Sequence, residues 1–263
     1  MHVAITGASV GIGEALARAF AAKGAVVSLV ARRKERLDAI ARELSGRAFL
    51  HQADLSLPDQ ATDWIAPAER ELGPIDVLVN NAGVQNVEPT ELAGIDAGEM
   101  LLRLNVLTPL RLTRAVLPGM LARRSGAIVD IASMAAITPM PGMYYYNASK
   151  GALANASEGL RGELRGTGVH VVTVYPGPVD TDMGRKGYEK YEPSLTARLS
   201  PVGTADGLAR LVVRAVERKK PRVVYPRSYG VALWFPRIAR WVTSRFSPPI
   251  KRLPAGGTNT TGS

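Results

Sequence analysis

Short apolar runs alternate with segments of helical periodicity along most of this chain. Seven runs have the length and the apolar content of buried strands, namely HVAIT, AVVSLV, RAFLHQ, IDVLVN, GAIVDIAS, GVHVVTVYPG and RVVY. Continuously apolar strands must be covered on both faces, and strands that are separated by helices pair in parallel. The pattern therefore predicts the α/β class, with a doubly wound parallel sheet of about seven strands and helices on both faces.

Six helical segments separate or follow the predicted strands. They are GEALARAFAAKG, ending at Gly24; KERLDAIAREL; PDQATDWIAPAEREL, beginning at Pro58; the long EMLLRLNVLTPLRLTRAVLPGML; the tyrosine-bearing PGMYYYNASKGALANASEGL; and DGLARLVVRAVER. After the sixth strand, residues 183–200 have no clear periodicity. A long irregular segment at this position predicts a lid over a site.

Composition places the chain among soluble globular proteins. Of its 263 residues, 46% are hydrophobic and 21% are charged, and no apolar run reaches the roughly 18 residues that a spanning helix needs. The first residues have no signal-peptide pattern and cysteine is absent, so we expect a cytoplasmic protein. The three histidines, His2, His51 and His170, lack metal-ligand spacing, and no metal site is expected.

The net charge of +10 is concentrated near the C-terminal end. Residues 214–252 contain eleven Lys or Arg and one acid, Glu217, and so account for the net charge of the whole chain. A neutral body with one basic segment argues against nucleic-acid binding. Residues 229–253 form a basic, aromatic extension, and residues 254–263 have the composition of a disordered tail.

A glycine-rich turn, TGASVGIG, follows the first predicted strand and precedes the first helix. Its glycines are Gly7, Gly11 and Gly13. Glycine permits a tight turn and the close approach of a pyrophosphate, and the N-terminus of the next helix presents N–H groups to phosphate. The spacing differs from G-x-G-x-x-G, and a purely structural turn is the alternative. The position in the first βαβ unit nevertheless favours a dinucleotide site.

Two arginines, Arg32 and Arg33, follow the second predicted strand. Dinucleotide-binding proteins carry an acid here when they bind a ribose 2′-hydroxyl, and arginine when they bind a 2′-phosphate. NADP(H) is therefore favoured over NAD(H), unless both arginines are only solvated surface charges.

Three consecutive tyrosines precede Lys150 on one predicted helix. Side chains four positions apart share a helix face, so only Tyr146 can stand beside Lys150. A phenol has a pKa of about 10, and a neighbouring ammonium would lower that pKa toward the range useful in acid–base catalysis. Tyr144 and Tyr145 are expected to pack against the sheet or a neighbouring subunit, or one of them to line the substrate pocket with Met140 and Met143.

Two polar residues strengthen the interpretation of Tyr146 as an acid. Ser133 ends the fifth predicted strand, at the carboxyl edge where such sheets bind ligands. Asn105 lies inside the long predicted helix, where an amide is unfavourable unless it is used.

Together these motifs resemble the short-chain dehydrogenase/reductase family in its shorter, single-domain branch. The resemblance extends over about residues 1–225 and includes TGASVGIG, ADL at 53–55, NNAG at 80–83, YNASK, and PGPVDT at 176–181. It implies a Rossmann-like dinucleotide-binding catalytic domain, which we place at residues 1–228. It also implies a homodimer or homotetramer, with the tyrosine-bearing helix and the long helix before it at the interface.

The resemblance implies roles for individual residues. Tyr146 would exchange a proton with the substrate oxygen, Lys150 would lower the pKa of Tyr146 and bind the nicotinamide ribose, and Ser133 would bind the substrate oxygen. Asn105 would support a water that links Lys150 to solvent. The residues expected to contact the cofactor are Gly7, Ser9, Gly11, Ile12, Gly13, Arg32, Arg33, Asp54, Leu55, Asn81, Ala82, Gly83, Tyr146, Lys150, Pro176, Gly177, Val179 and Thr181.

One position departs from the family pattern. Many NADP-dependent members carry a basic residue directly before the second glycine of the loop, where this chain has Val10. A bound 2′-phosphate would then depend on Arg32, Arg33 and Ser9.

The sequence thus predicts an NADP-dependent oxidoreductase that transfers a hydride between nicotinamide and a carbonyl or secondary alcohol. A non-catalytic NADP-binding regulator on the same fold is the alternative, since a fold alone does not establish an activity. The complete set of Asn105, Ser133, Tyr146 and Lys150 favours the enzyme.

The extension at 229–253 interleaves large apolar residues with basic ones and contains no acid. As a helix after Pro236, it places Ile238, Trp241 and Val242 on one face, and its three arginines largely toward the flanks and the opposite side. This pattern predicts contact with an anionic membrane surface, or a segment that folds over the substrate pocket or packs between subunits. All of these arrangements favour lipophilic substrates.

Overall fold

Seven strands form one parallel sheet in the computed structural model, which describes residues 1–44, 46–194 and 200–251. The strands are β1 (His2–Thr6), β2 (Val26–Ala31), β3 (Ala48–Gln52), β4 (Val77–Asn80), β5 (Gly126–Ile131), β6 (Val169–Pro176) and β9 (Arg222–Tyr225). Their order is β3-β2-β1-β4-β5-β6-β9, and every neighbouring pair is parallel. The predicted doubly wound sheet is confirmed. Its strand order reverses between β1 and β4, which opens a crevice at the carboxyl edge.

Ten helices are described, most of them covering the two faces of the sheet. They are α1 (Gly11–Ala21), α2 (Lys34–Glu43), α3 (Ile65–Leu72), α4 (Ile95–Leu102), α5 (Thr108–Ala122), α6 (Tyr144–Glu163), α7 (Asp182–Tyr188), α8 (Ala205–Glu217), α9 (Val231–Trp234) and α10 (Pro236–Phe246). One apolar core joins the sheet to α1, α2 and α8, and the other joins it to α3, α5 and α6. Val3 and Ile5 of β1 belong to the first core and Ala4 to the second, because successive side chains of a strand point to opposite faces.

Helix α3 begins at Ile65, so the prediction of a helix from Pro58 was wrong. The preceding residues form successive turns, in which Ala61 N–H donates to Pro58 C=O (3.3 Å) and Ile65 N–H donates to Thr62 C=O (3.0 Å). The physical reason is Pro67, which has no N–H for the helix ladder and whose ring would collide with the carbonyl four residues earlier. Proline is tolerated in a first turn, and the helix therefore starts just before it.

The long predicted helix is divided in the structure. A π-helical turn, Arg103–Leu107, separates α4 from α5 and contains Asn105. Pro109 lacks the N–H that would bond to the carbonyl of Asn105 in a regular α-helix, so the ladder widens at this point. The wider turn places the Asn105 side chain in the protein interior.

The segment after β6 is more regular than predicted. Strand β7 (Val179–Asp180) pairs in parallel with β8 (Gly203–Thr204), and α7 lies between them. Thr181 caps α7, since its Oγ1 accepts a hydrogen bond from Gly184 N–H (3.1 Å). Residues 183–194 are therefore partly helical rather than irregular, and residues 195–199 lie outside the described part of the chain.

The C-terminal extension contains α9 and α10 and then returns to the segment that follows α7. Tyr191 and Ile250 form an antiparallel bridge. It is flanked by hydrogen bonds from Glu192 N–H to Pro249 C=O and from Lys251 N–H to Lys190 C=O, both 2.9 Å. The predicted tail at 254–263 lies outside the described residues. No helix in the described ranges is both long enough and apolar enough to cross a membrane.

Candidate active site

Three of the four predicted catalytic residues meet at the carboxyl edge of β5. Ser133 follows β5, and Tyr146 and Lys150 lie one turn apart near the start of α6. Ser133 Oγ accepts a hydrogen bond from Ala135 N–H (3.1 Å) and donates one to Pro176 C=O (3.5 Å), and the Ser133 hydroxyl is close enough to the Tyr146 phenol to act on its pKa. Tyr146 is thus the tyrosine that pairs with serine.

The phenol of Tyr146 stays in its neutral form in this environment. Burial raises the pKa of Tyr146 above its ordinary value, and the hydrogen bond from Ser133 only partly opposes this. The helix spacing predicted that Lys150 would lower the pKa of Tyr146. That prediction was wrong: the pKa of Tyr146 is raised, because burial outweighs the other influences on the phenol.

Lys150 is a buried ammonium near the catalytic pair. Its Nζ lies 5.9 Å from the centroid of the Tyr146 ring and donates a hydrogen bond to the carbonyl of Ile131 (2.8 Å). Burial lowers the pKa of Lys150 to about 8, and the Asp130 carboxylate acts in the opposite direction. Because this pKa is close to neutral pH, modest changes in the surroundings of Lys150 can change its charge.

Asn105 lies behind the site and does not line the cavity described below. Its Nδ2 donates to Val84 C=O (2.9 Å) and Ser149 Oγ (3.0 Å), and its Oδ1 accepts from Val84 N–H (2.9 Å). A Cβ added to Gly83 would lie 3.0 Å from Asn105 Oδ1 and 3.5 Å from Lys150 Nζ. Asn105 thus fixes the backbone that follows β4 against α6, close to Lys150.

One continuous cavity of about 790 Å³ runs from the glycine loop past Ser133 to the C-terminal extension. The predicted site residues that line it are Gly7, Ser9, Gly11, Ile12, Arg32, Arg33, Asp54, Leu55, Asn81, Ala82, Gly83, Ser133, Tyr146, Lys150, Pro176, Gly177, Val179 and Thr181. Gly13 and Asn105 are the predicted site residues that do not line it. The fold thus brings residues from seven separate parts of the sequence to one edge of the sheet.

The glycine loop has the shape that a bound pyrophosphate requires. Gly7 has a φ of +65°, and a Cβ there would lie 2.8 Å from Ala82 Cα. A side chain on Gly13 would collide with the Gly7 carbonyl, so Gly13 permits the close packing of α1 without facing the cavity. Val10 at the N-cap offers no side-chain acceptor, which leaves the first N–H groups of α1 for phosphate oxygens.

The adenosine end of the cavity is rich in arginine. Arg33 Nη2 donates to Ser9 Oγ (3.2 Å), and Arg32 lines the cavity beside it. Arg36, three positions beyond Arg33 on α2, also lines the cavity and was not predicted, although its helical spacing is readable in the sequence. Asp54 is anchored by hydrogen bonds from Ser56, which lower the pKa of Asp54 and keep it ionised.

The other end of the cavity contains a group of apolar residues and is lined in part by the C-terminal extension. Its lining residues beyond Ser133 include Met140, Met143, Tyr188, Tyr191, Val242 and Phe246. The Tyr191 hydroxyl donates to Pro141 C=O (2.7 Å), and Arg240 of α10 donates to Ile137 C=O (2.9 Å). Residues of the extension thus line the pocket, as one of the predicted arrangements requires.

The two remaining tyrosines do not line the cavity. Tyr145 packs against α4, where a side chain on Gly98 would collide with its ring. Tyr144 is largely exposed and contacts Tyr145 edge to face, with ring centroids 5.5 Å apart. Tyr145 therefore packs against a helix rather than against the predicted sheet, and the alternative in which Tyr144 or Tyr145 lines the pocket is wrong.

Comparison with known proteins agrees with this geometry. The family model described as short chain dehydrogenase matches residues 1–192. A short chain dehydrogenase of Pseudocercospora fijiensis is 40% identical over 185 residues, which cover 68% of this chain and 60% of that protein. The 11-beta-hydroxysteroid dehydrogenase 1A of Arabidopsis thaliana is 37% identical over 257 residues, which cover 91% of this chain and 73% of that protein.

A solved structure, the closed form of serine dehydrogenase in complex with NADP+, superposes with a TM-score of 0.75 at 30% identity and covers 85% of this chain and 94% of that chain. The family model covers most of the chain, and the Arabidopsis relative is 37% identical over 91% of it. The chain therefore belongs to the short-chain dehydrogenase/reductase family, whose members are nicotinamide-dependent oxidoreductases.

Proposed function

We propose that this protein is an NADP-dependent oxidoreductase that interconverts a lipophilic carbonyl compound and its secondary alcohol. The observation that carries the proposal is that Ser133, Tyr146 and Lys150 line one cavity, which begins at the glycine loop. A bound nicotinamide supplies or accepts the hydride in this chemistry. The chain itself supplies a positioned hydroxyl pair and a nearby ammonium.

Tyr146, Ser133 and Lys150 have different roles in the proton transfer. In reduction, the Tyr146 phenol gives its proton to the substrate oxygen, while the Ser133 hydroxyl donates a hydrogen bond to the same oxygen as negative charge develops there. Burial keeps the Tyr146 phenol protonated, which suits the reductive direction. Lys150 stabilises the phenolate that remains, because its ammonium lies 5.9 Å from the centroid of that ring.

The preference for NADP(H) rests on the adenosine end of the cavity. Arg32, Arg33 and Arg36 line this end, and guanidinium groups bind phosphate through several hydrogen bonds. Ser9, which accepts a hydrogen bond from Arg33, adds a hydroxyl to the same surface. The serine dehydrogenase that resembles this chain was solved with NADP+, which also supports the proposal.

A lipophilic substrate is proposed from the character of the opposite end. Met140, Met143, Val242 and Phe246 contribute apolar surface there, and Tyr188 and Tyr191 contribute rings. An apolar pocket with few polar groups selects ligands mainly by burial of apolar area. The relative that aligns with 91% of this chain is named as a hydroxysteroid dehydrogenase, and a steroid is a lipophilic alcohol.

We also propose that the extension contacts an anionic membrane surface. The outer side of α9 and α10 exposes Trp234 (82%) and Trp241 (62%), together with Phe235 and Ile238. The arginines of the same segment can meet lipid headgroups while the aromatic rings enter the headgroup boundary. The inner side of α10 lines the cavity, so a substrate dissolved in the membrane would have a short path to the site.

A homodimer or homotetramer is proposed through α5 and α6. Leu107, Leu110 and Leu121 are apolar and substantially exposed on α5 and the turn before it, and Tyr144 is exposed at the start of α6. Apolar groups that are exposed together on neighbouring helices are typical of subunit contacts.

The test of the proposed function is oxidation of NADPH in the presence of ketones and aldehydes of increasing apolar size. Turnover that rises with apolar size and is lost in Tyr146→Phe supports the proposal. Binding of NADPH without turnover of any carbonyl or alcohol would favour the alternative, a non-catalytic NADP-binding regulator. Equal turnover of wild type and Tyr146→Phe would exclude the assigned proton donor.

A further inference from the structure

Residues 137–143, the pocket loop, connect the region of Ser133 to the helix that carries Tyr146. Met140 and Met143 of this loop line the apolar end of the cavity. The conformation of the pocket loop therefore shapes the wall against which an apolar substrate would lie.

The pocket loop gains little support from its own backbone. Pro139 and Pro141 have no N–H to donate, and Gly142 has a φ of +74°. The hydrogen bond from Met143 N–H to Met140 C=O is long (3.4 Å). A loop of this kind has many conformations unless other parts of the chain fix it, because each ordered residue loses conformational entropy.

Helix α6 fixes the middle of the pocket loop. Asn147, the residue after Tyr146, donates through Nδ2 to Met140 C=O (2.8 Å) and accepts through Oδ1 from Met140 N–H (3.2 Å). These two hydrogen bonds hold Met140 at a defined distance from the start of α6. They act on one residue only and leave both ends of the loop to other contacts.

The C-terminal extension contacts both ends of the pocket loop. At the first residue, Arg240 Nε of α10 donates to Ile137 C=O (2.9 Å). Near the last residue, the Ile250 side chain lies against the backbone of Gly142, where an added Cβ would be 2.4 Å from Ile250 Cδ1. The backbone of Ile250 is itself held by its bridge to Tyr191. The extension thus contacts the loop on both sides of the residue that α6 holds.

We propose that the extension holds the pocket loop in its substrate-binding conformation, with Arg240 and Ile250 as the positioning residues. Neither of them lines the cavity, so their effect on a substrate passes through the loop that they contact. The consequence for substrate binding rests on the proposed function, whereas the hold on the loop can be measured in the protein alone.

The first test is hydrogen–deuterium exchange of the full chain without substrate, measured by mass spectrometry on peptides that contain the pocket loop. Arg240→Met keeps a long side chain but removes the donor, and Ile250→Ala removes the contact with Gly142. Each should speed exchange in the loop roughly two- to tenfold, the factor that corresponds to loss of one hydrogen bond or a similar contact. Arg240 is exposed, so Arg240→Met leaves the core intact.

Ser244→Ala is the matched control. Its Oγ donates to Trp241 C=O (2.9 Å) within α10, so the variant removes a hydrogen bond of the extension that does not reach the pocket loop. Exchange in the loop should stay at the wild-type rate. Unchanged loop exchange in both Arg240→Met and Ile250→Ala would overturn the proposal, as would an equal acceleration in the strands of the sheet.

The second test uses turnover of a large apolar carbonyl compound by the variant that combines Arg240→Met with Ile250→Ala. With both ends released, open conformations of the pocket loop become populated, and KM should rise roughly three- to tenfold with kcat nearly unchanged. The Kd for NADPH should not change. A raised KM without faster loop exchange, or faster exchange with an unchanged KM, would overturn the proposal. Faster loop exchange in a protein that shows no turnover would contradict the proposed function alone.

Discussion

The ammonium of Lys150 lies 5.9 Å from the centroid of the Tyr146 ring, one helical turn away on α6. The pKa of each group is governed mainly by burial, which raises the pKa of Tyr146 and lowers the pKa of Lys150 to about 8. Near neutral pH, this gives a protonated phenol beside an ammonium. That pair of protonation states is the one that proton donation to a carbonyl requires.

Tyr146→Phe should reduce kcat by about 10²- to 10⁴-fold, the usual contribution of a positioned general acid. The affinity for NADPH, measured by fluorescence titration, should stay nearly unchanged, because only a hydroxyl is removed. Tyr145→Phe is the matched control on the same helix, and should have a mild effect, because Tyr145 packs against Gly98. Loss of activity in Tyr145→Phe but not in Tyr146→Phe would reverse the assignment.

Replacing both Arg32 and Arg33 by alanine should weaken NADPH binding much more than NADH binding. Each charged hydrogen bond to the 2′-phosphate contributes about 1.5–3 kcal/mol, which corresponds to roughly tenfold to a hundredfold in Kd. Kd values for the two cofactors, from isothermal titration calorimetry, provide the measurement. Arg42→Ala, on helix α2 that follows Arg33 but away from the cavity, should change neither value. Equal losses for NADPH and NADH would mean that Arg32 and Arg33 are general surface charges.

The folded state should become more stable as the pH rises above 8, because of the lowered pKa of Lys150. Its pKa is lowered from 10.5 to about 8 on folding, so in this window the unfolded chain holds a proton that the folded chain has released. Stability then increases with pH by up to about 1.4 kcal/mol per pH unit. The free energy of unfolding, measured with urea at several pH values below about 10, should increase with pH in the wild type but not in Lys150→Met. Equal slopes would place the Lys150 pKa near its unfolded value. Above that pH, the raised pKa of Tyr146 acts in the opposite direction.

Tyr191→Phe should raise KM for large apolar substrates more than for small ones. The Tyr191 hydroxyl binds Pro141 C=O (2.7 Å) and ties the segment after α7 over the cavity. Loss of one such hydrogen bond costs about 0.5–1.5 kcal/mol, so KM should rise by no more than roughly tenfold. Tyr175→Phe, which removes a hydroxyl bonded to Glu158 outside the cavity, is the control. A uniform change of kcat for all substrates would argue against a lid.

The full chain should float with anionic liposomes and much less with neutral ones, and added salt should weaken the binding. Each basic residue near an anionic surface contributes about 1 kcal/mol. Deletion of residues 229–263, or Trp234→Ser combined with Trp241→Ser, should abolish flotation. Ile95→Ser is the matched control, since Ile95 is equally exposed (69%) but lies on α4. Binding that ignores lipid charge and salt, or that survives the deletion, would exclude the membrane surface as the partner of this segment.

The sequence by itself determined the sheet, the glycine turn and the pairing of Tyr146 with Lys150. These are local properties: apolar runs of strand length, glycine where the backbone turns, and side chains four positions apart on one helix. The start of α3 and the π-helical turn at Asn105 also depend on local features of the sequence, namely Pro67 and Pro109. Both prolines were placed inside continuous predicted helices, so these two features were missed.

Only the tertiary structure decided the rest of the site. The protonation of Tyr146 depends on burial, which comes from elements distant in the sequence and was not readable from the spacing to Lys150. The position of Val242 and Phe246 in the lining of the cavity depends on the path of a segment whose amphipathic pattern fits both a lid and a membrane contact.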